Sequence, residues 1–127
     1  MNKSNVSHDM PKNKTQLLHY LKGHIGIELI HIFSSNDEQI HQDGSRQLLG
    51  QRTLQPEILR VHSVKRNAFG LIELERDQSL SPRWTWITPK HIVECTADYF
   101  AISHIHQWHN NTGHCESTVR LEYRYQK

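Results

Sequence analysis

Cysteine occurs only twice in this 127-residue sequence, at Cys95 and Cys115. Two thiols exclude the dense disulfide framework on which small secreted domains rely. Long apolar runs are missing as well: no stretch approaches the roughly twenty residues that cross a bilayer, and the opening MNKSNVSHDMPKNK lacks the apolar centre of a secretory signal. A cytoplasmic chain without membrane contact, its thiols reduced, is the expectation. Charge of one sign is also lacking. Fifteen Lys and Arg against thirteen Asp and Glu leave a formal +2, and the basic residues are scattered rather than blocked, which argues against nucleic acid as a partner. Apolar residues make up only 35% of the chain and mean hydropathy is -0.72, which implies a thin core. No nucleophile elbow, phosphate-binding glycine loop, paired-cysteine zinc knuckle or dinucleotide fingerprint is present, and those enzyme classes are disfavoured accordingly.

What is abundant is histidine, eleven in all, and four of them fall in the stretch that organises the chain. Ile92 to Tyr125 reads as one long antiparallel hairpin bent at Asn110-Asn111-Thr112-Gly113, because Asn and Gly accept the positive φ angles of hairpin loops and the flanking runs alternate. A loop centred on Asn111-Thr112 pairs His109 with His114, Trp108 with Cys115, His106 with Ser117, His104 with Val119, Ile102 with Leu121 and Phe100 with Tyr123. Since successive side chains in a strand point to opposite faces, Phe100, Ile102, Val119, Leu121, Tyr123 and Trp108 form an apolar, inward face. His104, His106 and Cys115 share it. The other face carries Tyr99, Gln107, Arg120, Glu122 and Arg124 and is expected to be solvated.

Residues 1–14 read as a disordered polar tail and 15–127 as a single globular domain. Thr15 or Asn13 caps a short helix bearing Leu17, Leu18 and Leu21, ended by Gly23. Ile25 to Phe33 is a strand with Leu29, His31 and Phe33 on one face and Ile30 and Ile32 on the other, which suits a central position or a strand covered by the helix. Ser34 to Ser45 is rich in turn formers, with a tight turn at Asp43-Gly44. Gln47 to Leu54 and Glu57 to Lys65 are further strands broken at Pro56, a helix being the alternative for the second. Beyond a turn at Asn67 to Gly70, Leu71 to Arg76 and Arg83 to Thr88 are strands flanking a loop from Asp77 to Pro82, with Trp84 and Trp86 on one face and Thr85 and Ile87 on the other. A helix followed by seven or so short antiparallel strands predicts an α+β, mainly-β fold, with the helix packed on a strongly curved antiparallel sheet or small barrel.

Three functions compete for the inward histidines. One is a pocket for a small apolar or aromatic molecule, lined by Trp84, Trp86, Phe100, Trp108 and Tyr123, with His104 and His106 as its polar contacts and, in an enzyme, as acid and base. A second is a transition-metal site of His104, His106 and Cys115, since an i, i+2 pair puts two imidazoles on one side and the thiol lies a diagonal step away. The third is an interaction or regulatory protein with a filled core, docking a partner or a second copy through a sheet edge or face. His104-Ile105-His106 also resembles the His-hydrophobe-His element of the HUH endonuclease and transposase families, which implies a metal on a central strand beside a tyrosine nucleophile. Tyr123 and Tyr125, however, fall on a neighbouring strand rather than a helix, and no basic DNA face accompanies them.

Overall fold

The structure, a computed structural model, describes residues 10–74 and 81–126. The first nine residues of the expected polar tail, and 75–80 with most of the expected loop before Pro82, lie outside them. Helix α1 (Lys14–Lys22) begins where the Asn13 side chain accepts a hydrogen bond from the Gln16 amide at 2.9 Å, an N-cap that satisfies one of the helix's orphan donors. Its spacing puts Leu17, Leu18 and Leu21 on one buried face. Nine residues are too few to hold a helix alone, so docking of those leucines stabilises it.

Eight antiparallel strands follow: β1 (Glu28–His41), β2 (Arg46–Thr53), β3 (Glu57–Lys65), β4 (Ala68–Glu73), β5 (Arg83–Trp86), β6 (Ile92–Cys95), β7 (Tyr99–Asn110) and β8 (Gly113–Tyr125). Their order is β5-β4-β3-β1-β8-β7-β6, with β2 beside the far half of β1. Glu57–Lys65 is therefore strand, and the expected strand from Ile25 to Phe33 is central but begins at Glu28, residues 25–27 being the connection that leaves the helix. Ser34 to His41 departs from the turn-rich expectation, because this polar segment continues β1 along the full length of β8. Its polar residues suit a ribbon strand that is only partly covered, with Gln39 and Ile40 buried near the tip.

Directly opposed residues share a face, so the register writes out the interior in rows: Leu29 with Tyr125; His31 with Tyr123, Phe100 and Cys95; Phe33 with Leu121, Ile102 and Val93. The sheet curls until Phe69 of β4 meets Phe100 of β7 and Tyr123 of β8 edge to face, at centroid distances of 5.7 and 5.4 Å. The α1 leucines close one end of this core. The edges β5 and β6 are not hydrogen-bonded to each other, so the sheet is a bowl and not the small barrel that was the alternative.

Beyond Phe33 the bowl gives way to a four-stranded ribbon, β2-β1-β8-β7. A bulge between Asp37 and Glu38 bends its β1–β2 half. At the tip a polar cluster replaces a core: Asn110 Nδ2 donates to Gln39 Oε1 at 2.7 Å, the Cys115 thiol to the same oxygen at 3.2 Å, and Gln39 Nε2 to the His114 carbonyl at 3.2 Å. Both cysteines are free thiols. No helix among the described residues is long and apolar enough to cross a membrane.

Candidate functional site

The β7–β8 register matches the expected pairing at every position from Phe100–Tyr123 to His109–His114. Parity alone does not bury a residue, however. Phe100, Ile102 and Tyr123 lie in the bowl and are almost fully buried. His104 is half-buried, and His106 and Trp108 belong to the ribbon and are exposed. His104 and His106 do meet, at a centroid distance of 4.0 Å, and His91 from the β5–β6 connection approaches His104 at 5.2 Å. Burial lowers the His104 pKa, and the like charges of His106, His91 and Lys90 lower it further. The Cys115 thiol is not brought to these rings; Gln39 and Asn110 hold it at the ribbon tip. Among the described residues no three His, Cys, Asp or Glu side chains are placed to hold a metal ion.

The expected tryptophan lining needs correction too. Arg83 pairs with Leu71 and Thr85 with Phe69, which turns Arg83 and Thr85 inward, and Ile87 is buried. Trp84 and Trp86 pair with Gly70 and Ala68 and lie on the outer side, where the Lys65 ammonium sits 4.0 and 5.6 Å from their ring centroids. Size argued for burying the indoles, but stacking under a cation lets them stay at the surface. Trp108 is on the ribbon and Phe100 is packed core, so of the five aromatics only Tyr123 and, at the rim, Trp84 border one cleft.

The bowl nonetheless holds a cleft of about 220 Å³ between β1 and β8 on one side and β3, β4 and β5 on the other. Leu59, Leu71 and Leu121 supply its apolar wall, and His31, Arg83, Thr85 and Tyr123 its polar groups, with Trp84 at the rim. His31 is there because alternation along β1 points it inward between Leu29 and Phe33. Its ring stacks on Tyr123 at 4.4 Å with an interplanar angle of 13°. Its Nδ1 lies 3.0 Å from the Glu122 backbone carbonyl. A carbonyl oxygen only accepts, so Nδ1 carries a proton. Burial, the largest influence, lowers the pKa of the ring; the Glu122 bond and Glu57 oppose it, and Arg83 adds to it. The imidazole is thus held neutral with one tautomer favoured, and Nε2 is left as a lone-pair acceptor.

Tyr123 is the complementary group. Burial pushes its pKa up to about 12, so it stays a neutral phenol, with its oxygen 3.4 Å from the Thr85 hydroxyl across the bowl. Arg83 and Glu57 form an ion pair at 3.2 Å, both half-exposed. The outer face behind this site is solvated as expected, a charge ladder in which Glu122 accepts from Arg120 at 2.8 Å and from Arg124 at 2.9 Å. His31 is legible as an inward histidine, since a lone polar ring interrupts the apolar row of β1, but a single histidine on a strand carries a weaker sequence signal than the pair at His104 and His106. No family model matches this chain, and no curated protein or solved structure matches it either.

Proposed function

We propose that this chain is a small-molecule-binding domain whose pocket is the His31 cleft, and not the histidines of the ribbon. The observation that carries this is the placing of His31: an imidazole whose Nδ1 donates to the Glu122 carbonyl, facing a cavity with one wall of three leucines and a few polar groups. Pockets of this kind use a few fixed polar groups to orient a ligand whose affinity comes from apolar contact. A volume of about 220 Å³ is below the range of drug-sized pockets, roughly 300–1,000 Å³, so the ligand is compact. It has a flat or branched apolar body for Leu59, Leu71 and Leu121, and one donor for Nε2. A cytoplasmic setting belongs to the same proposal, supported by two unbridged thiols.

If the domain is an enzyme, the same nitrogen is its proton acceptor. The ordered neutral ring next to a phenol and a threonine hydroxyl favours proton transfer over nucleophilic chemistry. Titration with phenol, followed by amide and side-chain NMR shifts, tests the binding proposal, with toluene as the isostere that lacks a donor. Phenol is expected to shift His31, Thr85 and Leu121 resonances at millimolar concentration and to bind about five-fold more tightly than toluene, the worth of one hydrogen bond of about 1 kcal/mol. His31→Phe should erase that preference. No shift in the cleft with either probe, or equal affinity for both, overturns the proposal.

A further inference from the structure

We propose that the free edge of β7 pairs antiparallel with the same strand of a second copy of this chain, joining two sheets into one. The inference starts from an unequal treatment of edges. Strand β6 covers β7 only from Phe100 to Ser103, and from His104 to Asn110 the strand has β8 on one side and no other strand of the described chain on the other. Along such an edge every second residue turns its backbone N–H and C=O outward, a template for another strand.

The other edges are protected. Strand β2 carries Arg46 and Arg52 and is kinked by the bulge opposite Asp37 and Glu38. Strand β5 is four residues long, preceded by Pro82 and begun by Arg83, and β6 is four residues long and carries Glu94. Bulges, brevity, proline and charge are the devices by which sheet proteins prevent edge-to-edge pairing. The exposed part of β7 has none of them: from Ser103 to Cys115 there is no Lys, Arg, Asp, Glu or Pro, in a chain that is 22% charged. It bears instead Ile105, 44% exposed on one face, and Trp108, 49% exposed on the other.

These features select a copy of itself as the occupant. A seam without formal charge offers nothing to a charged partner strand, and it tolerates its own image because no like charges meet. A two-fold axis through Gln107 sets His106 opposite the Trp108 of the other copy, Ile105 opposite its His109 and His104 opposite its Asn110. Inward residues face inward residues and outward ones outward, as a continuous sheet demands. Seven residues make a small seam, so association is weak, micromolar or looser.

Sedimentation equilibrium at pH 8, over about 5 to 500 μM, tests this. The expected result is a weight-average mass rising reversibly from 15.0 kDa toward twice that value, with the outward amides of Ile105, Gln107 and His109 gaining exchange protection at the higher concentrations. Ile105→Lys, which adds a natural edge charge at an exposed site, should remain monomeric with an unchanged far-UV circular dichroism spectrum, and Gln107→Pro provides a second, backbone-blocking variant. A wild-type chain that stays at 15.0 kDa throughout overturns the proposal. So does self-association that leaves the amides of Ile105, Gln107 and His109 unprotected, or that either folded variant retains.

Discussion

Replacing Gly113 with alanine tests the tightest of the glycine sites. Gly113 opens β8 at φ +144°, a region that only glycine occupies without strain. A Cβ built there would fall far inside contact distance of the Ile40 carbonyl oxygen and 3.1 Å from the His41 carbonyl carbon and Cα, all backbone atoms of β1 that cannot rotate away. Two costs add. The backbone conformation costs a non-glycine residue about 1–3 kcal/mol. Relieving the overlap requires β1 and β8 to separate at the tip, losing bonds such as Gln42 N–H to the Thr112 carbonyl and the Gln39–His114 contact, at about 1 kcal/mol each. A loss of about 3–5 kcal/mol follows, or about 11–19 °C in Tm for a chain of this length. Gly44 supplies the control, because it has φ +88° but open space where its Cβ would go. Gly44→Ala should therefore lose only the backbone part, about 1 kcal/mol. Urea and thermal denaturation of both variants measure the difference. Equal losses, or a Gly113→Ala loss below about 1 kcal/mol, would refute the close packing of the ribbon tip on β1.

Two titrations test the chemistry of the bowl. Because burial lowers the pKa of His31 from its ordinary 6.5, its contribution to stability is complete above pH 6.5 and is lost as pH falls from there toward the folded value, since the unfolded chain takes up the proton first; His31→Gln should flatten the decline of the urea midpoint between about pH 7.5 and 5 relative to wild type, and an unaltered slope counts against a neutral buried ring. At the alkaline end the sign reverses: with Tyr123 raised from 10.0 to about 12, stability is present below pH 10 and lost as pH climbs toward 12. Tyr123→Phe should weaken that loss without abolishing it, because burial raises Tyr20 and Tyr125 as well, and a profile indistinguishable from wild type would place the phenol in water.

The parts of the molecule legible in the sequence are those governed by strict alternation. The Asn111-Thr112 turn and the parity on either side of it were sufficient for the whole β7–β8 register, and the two apolar faces of Ile25 to Phe33 for a central strand. What alternation could not supply is the layer opposite a face. Phe100 and Trp108 have the same parity, yet one is covered by Phe69 and Tyr123 and the other by nothing among the described residues that buries it, because the bowl ends between them. On β5, Trp84 and Trp86 outweigh Thr85 and Ile87 in apolar area, but the pairing of Arg83 with Leu71 and Thr85 with Phe69 sets the opposite parity, and Lys65 holds the indoles on the outer side. Ser34 to His41 has the polar composition of a turn, but a ribbon strand buried only at Gln39 and Ile40 has the same composition.

The pairing of β1 with β8 also bears on how the chain comes to be folded. These two strands lie side by side over their full lengths but are separated in the sequence by β2 to β7, so the most extensive pairing in the protein is also among the most distant along the chain. During synthesis the segment Glu28 to Phe33 leaves the ribosome early and waits, one flank uncovered, until the strand beginning at Gly113 has emerged. Slow maturation, and a need for chaperone protection of that apolar segment in nascent chains, follow from such long-range topology.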